Sequence, residues 1–359
     1  MATNVALLAD YGQSVWYDNL HRGLIDSGGL SDLISGHGVR GVTSNPTIFE
    51  KAILASDAYD EQLAQLGGTS PEEAYWELVL RDIREAADAL AGVYEATEGA
   101  DGFVSVEVAP SLAHDADGTV QQAHHLWERL GRANAMIKVP ATTAGVQAVE
   151  ALTFAGINVN VTLIFAVDRY KEVLAAHARG LTQRVAAGLP TDSVQSVASF
   201  FISRLDTDID PLLPVDHPSR GQCAVANARI AYSAFREFSD GDVWQRLKDA
   251  SNPPLQRPLW ASTSTKNPEY SSTLYVDELI GQNTVNTLAP ETLEAFEDHG
   301  SPRRDTVEER LDDAYRCLEA LPEVGIDLDD VTRRLEAGGV RSFSASFDAC
   351  VAGIAKRLG

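Results

Sequence analysis

Short apolar runs alternate with longer amphipathic stretches along nearly the whole chain, and this alternation limits the fold more than any other feature of the sequence. Strand-like runs lie at 14–18 (SVWYD), 39–45 (VRGVTSN), 103–110 (FVSVEVAP), 135–142 (AMIKVPAT), 157–165, 193–203 and 257–264. STLYVDELIG at 272–281 is read as the eighth strand or its surroundings. Helical patterns separate them. One is announced by Pro46 just after the second run, and another by Ser70-Pro71, an N-cap followed by a proline at the first helical position. Strands joined through helices make βαβ units and a parallel sheet. Eight of them predict an α/β fold, a closed (β/α)8 TIM barrel with additional helices. A doubly wound open sheet is the alternative. No GxGxxG or GxxxxGK[ST] loop follows the first strand, which weakens its nucleotide-binding versions.

With 359 residues, 44% of them hydrophobic, the chain can fill one large core. No repeat or linker divides it. The expectation is a single barrel domain over 1–359, with C-terminal helices from residue 290 to 359 packing outside the barrel. The net charge of −23 argues against nucleic acid and anionic membrane surfaces as partners. Cys223, Cys317 and Cys350 are odd in number and form no CxxC pair, so a reducing compartment fits better than a disulfide scaffold. The N-terminal MATNVALLADYG has no basic n-region, and no long apolar run appears. A cytoplasmic location is expected. Oligomeric state stays open, with a homo-oligomer among the options.

Lys138 is the sharpest chemical signal. It stands in Met136-Ile137-Lys138-Val139-Pro140, an amine with apolar neighbours on both sides. Burying such a group is costly unless it is paired. A Schiff-base nucleophile is one reading, because desolvation helps a lysine lose its proton. A structural salt bridge in the barrel mouth is the other. Asp18 closes SVWYD, and Glu107 lies in Val104-Ser105-Val106-Glu107-Val108. Residues two apart in a strand share a face. Ser14, Trp16 and Asp18 therefore face one way, as do Ser105 with Glu107 and Met136 with Lys138. Three parallel strands would each send one ionisable group to a common interior, where barrel enzymes do chemistry. A buried ion-pair network is a weak stabilising device, so this set favours function.

Polar residues continue the pattern. Asn45 precedes Pro46, Asn160 and Thr162 alternate along the fifth run, and Ser199 and Arg204 flank Phe200-Phe201-Ile202. Asn and Ser suit sugar hydroxyls, and Arg can grip a phosphate. Alone, each is ordinarily a turn, cap or surface residue. Other chemistries find less support. His124-His125 falls on a helix whose neighbouring side chains diverge, and neither HExxH nor GxSxG occurs. No metal site and no cofactor are expected.

At this point the chain resembles the transaldolase family. Gly41-Val42-Thr43-Ser44-Asn45-Pro46-Thr47-Ile48-Phe49 is similar to the family's N-terminal signature. Met136-Ile137-Lys138-Val139-Pro140-Ala141-Thr142 is similar to its active-site lysine segment. Asn160-Val161-Thr162-Leu163-Ile164-Phe165 and Ser199-Phe200-Phe201-Ile202-Ser203-Arg204 match in order and spacing. The resemblance implies a barrel with the lysine on its fourth strand and no cofactor. Lys138 would attack the C2 carbonyl of a ketose phosphate, and Asp18 would take the C4 hydroxyl proton. Glu107 and Thr162 would hold the water of imine formation and hydrolysis. Asn45, Asn160 and Ser199 would bind the dihydroxyacetone fragment, and Arg204 the phosphate. The expected donors are sedoheptulose 7-phosphate and fructose 6-phosphate. The expected acceptors are glyceraldehyde 3-phosphate and erythrose 4-phosphate, as in the pentose phosphate pathway.

One departure concerns the phosphate. The family's Ser-x-Arg pair after the seventh strand would fall in Trp260-Ala261-Ser262-Thr263-Ser264-Thr265-Lys266. Ser262 matches, Ser264 stands where the Arg would be, and Lys266 is the nearest replacement cation. Two competing readings stay open: a related Schiff-base fructose 6-phosphate aldolase, and a non-catalytic barrel that binds sugar phosphates.

Overall fold

The computed structural model describes residues 3–358. Eight parallel strands close on themselves: β1 (Gln13–Tyr17), β2 (Gly41–Val42), β3 (Phe103–Glu107), β4 (Ala135–Pro140), β5 (Val159–Ile164), β6 (Ser196–Phe201), β7 (Arg257–Ala261) and β8 (Thr284–Leu288). The pairing of β1 with β8, from Gln13 opposite Thr284 to Tyr17 opposite Leu288, excludes the open sheet. The fold is a (β/α)8 barrel ringed by helices.

Period-two alternation sorts the strand residues. Val15, Tyr17, Val104, Val106, Ile137, Val139, Val159 and Val161 point outward into the core shared with the helices. Trp16, Phe103, Met136, Val197, Leu259 and Val285 fill the barrel interior. Trp16 dominates this floor, and Gly41 on the neighbouring strand makes room for it. A Cβ on Gly41 would stand 2.6 Å from the indole ring. Beneath it, Arg257 reaches Ser14 Oγ (3.0 Å) and Asp101 Oδ1 (3.0 Å) and seals the N-terminal end of the barrel.

The eighth strand differs from the sequence reading. The segment 272–281 forms a short helix, Leu274–Asp277, and its continuation. Its apolar residues Tyr275, Val276, Leu279 and Ile280 are buried at helical spacing, i, i+1, i+4 and i+5. The strand itself is TVNTL at 284–288, polar by composition yet fully buried.

The helix starts follow their caps. Asn45 Oδ1 accepts from Ile48 N at 3.0 Å, with Pro46 as the first residue of the helix Pro46–Leu54. Ser70 Oγ accepts from Glu73 N at 3.2 Å at the head of Pro71–Ala89. The C-terminal helix, Leu328–Leu358, lies outside the strand ring and packs on both of these helices. Phe347 anchors it edge-on against Tyr75, with ring centroids 4.8 Å apart. One turn earlier, Phe343 reaches into the barrel mouth and joins the interior cluster. Among the described residues no helix is long and apolar enough to cross a membrane.

Candidate active site

Register builds the centre of the site. Glu107 on β3 stands opposite Lys138 on β4, and Lys138 stands opposite Asn160 on β5. The three face inward, side by side: Glu107 is the last residue of β3, Lys138 lies past the middle of β4, and Asn160 is the second residue of β5. Lys138 is 4% exposed and Glu107 7%, so both charges are withdrawn from water. Lys138 Nζ lies 3.6 Å from Glu107 Oε2 and donates to the Ser44 carbonyl at 3.1 Å. Burial pushes the Glu107 carboxyl up to about 7, against the pull of Lys138 and Arg204. Glu107 Oε2 and Thr162 Oγ1 are both buried without a hydrogen-bond partner. An orphan carboxyl oxygen 3.6 Å from the amine, and an orphan hydroxyl on the cavity the amine lines, mark a place built to hold something polar.

A chain of hydrogen bonds fixes the amide of Asn160. Its Nδ2 donates to Ser105 Oγ at 3.0 Å, and Ser199 Oγ donates to its Oδ1 at 2.7 Å. Ser44 Oγ in turn donates to the Ser105 carbonyl at 2.7 Å. A register shift between Val161 and Ile164 in β5 leaves Leu163 in the left-handed region at φ 59°. Such a bulge re-aims side chains at a barrel rim. Here Thr162 lines the mouth and Leu163 packs into the interior cluster beside it.

Asp18, just beyond β1, extends the β1–β8 ladder by donating its N–H to Leu288 O at 2.8 Å. Its Oδ1 accepts from Thr43 Oγ1 at 2.6 Å. The Oδ1 of Asn45 is committed to its helix cap, which leaves the amide nitrogen as its free donor at the mouth. Arg204 sits at the start of the helix Ser203–Ile209, with its guanidinium 4.9 Å from the Phe201 ring centroid. Burial disfavours its charge, while Asp18 and Glu107 favour it. Ser262, left-handed at φ 57°, hydrogen-bonds Ser203 at 3.1 Å between the hydroxyls. Lys266 is exposed at the rim, and neither it nor Arg204 makes an ion pair among the described residues. Two unpaired cations at one edge of a pocket suit an anion.

One cavity is thus lined by Asp18, Asn45, Lys138, Thr162, Ser199, Arg204, Ser262 and Lys266, with Glu107 and Asn160 directly behind it. All ten residues singled out from the sequence converge there. Ser264 also lines it, but its hydroxyl pairs with Thr292 at 2.7 Å. Thr43, Thr287, Glu291 and Phe343 line it too, and the sequence reading did not single them out. Thr43 lies two residues before Asn45, in the run 39–45 that reads as a strand, which is an available signal. Thr287 belongs to the strand placed wrongly, and Phe343 has no local signal at all. A separate cavity under Arg229, Tyr232, Val307 and Leu311 holds none of these groups. Among the described residues no cluster of three or more His, Cys, Asp or Glu could hold a metal ion.

Known proteins are similar to this chain over nearly its full length. The model of the Transaldolase/Fructose-6-phosphate aldolase family matches residues 15–354. The transaldolase of Saccharopolyspora erythraea is 46% identical over 361 residues, covering 99% of this chain and 98% of the relative. That of Thermobifida fusca is 46% identical, covering 100% and 99%. That of Mycobacterium tuberculosis is also 46% identical, covering 96% and 94%. The barrel, the inward lysine on its fourth strand and this similarity agree: the chain belongs to the transaldolase/fructose-6-phosphate aldolase family.

Proposed function

We propose that this enzyme moves a three-carbon dihydroxyacetone unit between sugar phosphates through a Schiff base on Lys138. The observation that carries the reading is the buried Lys138 amine, 3.6 Å from a buried carboxylate oxygen with no hydrogen bond. A merely structural ion pair would be expected to satisfy its lone pairs.

In this mechanism the Lys138 amine adds to C2 of the ketose phosphate. Glu107 and Thr162 hold the water that leaves as the imine forms, and the same water position serves its hydrolysis. A carboxyl titrating near neutrality can both give and take that proton. The protonated imine then accepts the electron pair of the C3–C4 bond as Asp18 takes the C4 hydroxyl proton. The aldehyde phosphate leaves, and the enamine stays on Lys138 until a second aldehyde arrives. Its C3 then attacks that carbonyl, and Asp18 returns the proton. Asn160, fixed at both ends of its amide, together with Ser199 and Asn45, orients the three-carbon fragment. Arg204, Ser262 and Lys266 hold the phosphate at the rim.

The donors are taken to be sedoheptulose 7-phosphate and fructose 6-phosphate, with glyceraldehyde 3-phosphate and erythrose 4-phosphate as acceptors. The three free cysteines fit a reducing compartment such as the cytoplasm. A coupled assay with fructose 6-phosphate, run with and without erythrose 4-phosphate, tests the reading. Turnover should depend on the acceptor and produce sedoheptulose 7-phosphate. Acceptor-independent release of free dihydroxyacetone at the same rate would assign the chain to the aldolase activity instead.

A further inference from the structure

The proposed mechanism uses no residue after Lys266, yet the C-terminal helix brings Phe343 into the same cavity. This side chain does not behave like an ordinary core anchor of its helix. Phe347, one turn on, does that work against Tyr75 and Trp76. Phe343 instead belongs to the cluster that fills the barrel interior, together with Phe165, Phe201 and Leu163, and is 4% exposed. Its ring centroid lies 5.9 Å from Lys138 Nζ. A second aromatic ring, besides that of Phe201, thereby lines the pocket that holds Asp18, Lys138, Thr162 and Arg204.

The helix is shaped to reach this position. Gly339 lies one turn before Phe343, and a Cβ there would stand 2.7 Å from Leu163 Cδ2. Leu163 is the left-handed residue of the β5 bulge, next to Thr162. A missing side chain on the helix and a strained residue on the strand let the two elements meet closely, next to Thr162 at the barrel mouth.

We propose that Phe343 is a shielding residue that sets the balance between transfer and hydrolysis, an inference that rests on the Schiff-base reading above. Two properties of the ring matter. Its bulk keeps water from C2 of the Lys138 adduct, and its π face attracts the cationic imine. Hydrolysis of the bound fragment needs both barriers lowered. The enamine takes a proton at its terminal carbon and becomes an imine. Water adds to C2, and the carbinolamine loses its C2–Nζ bond. Dihydroxyacetone leaves with the water's oxygen as its C2 carbonyl, and both protons of that water end on Nζ, so Lys138 is left as the ammonium. A site that admits water poorly leaves the enamine time to meet an aldehyde.

The test uses the full-length protein with fructose 6-phosphate. It compares release of free dihydroxyacetone with transfer to erythrose 4-phosphate, and measures the fraction of Lys138 trapped by borohydride. Phe343→Ala should raise the release-to-transfer ratio several-fold. It should also weaken the imine about 2- to 30-fold, the range between losing an exposed and losing a desolvated cation–π contact. Phe343→Leu keeps bulk without the π face, so its imine should weaken while its ratio stays below that of Phe343→Ala. Gly339→Val pushes the helix off Leu163 and should raise the ratio with Phe343 intact. A merely structural role would lower release and transfer together and leave their ratio at the parent value. That result in folded Phe343→Ala and Gly339→Val overturns the inference. A parent enzyme that forms no borohydride adduct overturns the Schiff-base reading itself, and does so before any variant is compared.

Discussion

Replacing Glu107 by Gln should make the protein more stable at pH 8 while disabling its chemistry. Glu107 is buried, and its carboxyl is raised from 4.5 to about 7 because burial outweighs the pull of Lys138 and Arg204. The sign follows from linkage. The folded protein binds this proton more tightly than the unfolded chain does, so ionisation favours unfolding. Below about pH 4.5 the group is protonated in both states and contributes nothing. Between about 4.5 and 7 stability is progressively lost, and above 7 the loss is complete. A rise of 2.5 units corresponds to roughly 3 kcal/mol. About 2 kcal/mol of it develops between pH 5.5 and 8.5. Glu107→Gln has no such titration. Urea unfolding of both proteins at a series of pH values should show the variant gaining on the parent by that amount as pH rises. Its rate of imine formation should fall roughly 10²–10⁴-fold, the usual cost of losing a general acid–base group. A variant less stable than the parent at pH 8 would mean that the carboxylate is a net stabilising partner of Lys138. The proton-shuttle role would then lose its physical basis.

Two other perturbations separate the remaining steps. Asp18→Asn should still form the imine but cleave C3–C4 about 10²–10⁴-fold more slowly, since the C4 proton has lost its acceptor; single-turnover kinetics with trapping of the adduct measures both steps. Arg204→Ala should raise KM for phosphorylated donors by a free energy of roughly 1.5–3 kcal/mol, with little effect on free dihydroxyacetone-containing sugars. Lys266→Ala should act in the same direction by a smaller amount, because the amine is exposed at the rim. Unchanged KM values on fructose 6-phosphate would remove either residue from phosphate binding.

The centre of the site was legible in the sequence because strands are simple objects. A period of two puts Asp18, Glu107 and Lys138 on interior faces once their runs are recognised, and burial of lone charges in apolar runs calls for a partner. The register that sets Glu107 opposite Lys138 and Asn160 is a tertiary fact and was not readable in advance. The eighth strand was missed for a chemical reason. Thr284, Asn286 and Thr287 look like a turn, while the greasier segment before them satisfies its apolar residues as a helix. The bulge at Leu163 leaves no sequence signature, since leucine is a poor residue for a left-handed backbone. Phe343 was beyond reach altogether. It lies far along the chain from Lys138, on a helix expected to pack outside the barrel, and an aromatic residue on such a helix reads as ordinary core.

Covalent capture on one lysine tests the central claim most directly. The protein is incubated with fructose 6-phosphate, reduced with borohydride, digested, and the modified residue mapped by mass spectrometry. A single reduced three-carbon or six-carbon adduct on Lys138, absent from Lys138→Ala together with transfer activity, is the predicted result. An adduct on a different lysine, or full transfer by Lys138→Ala, would contradict the account.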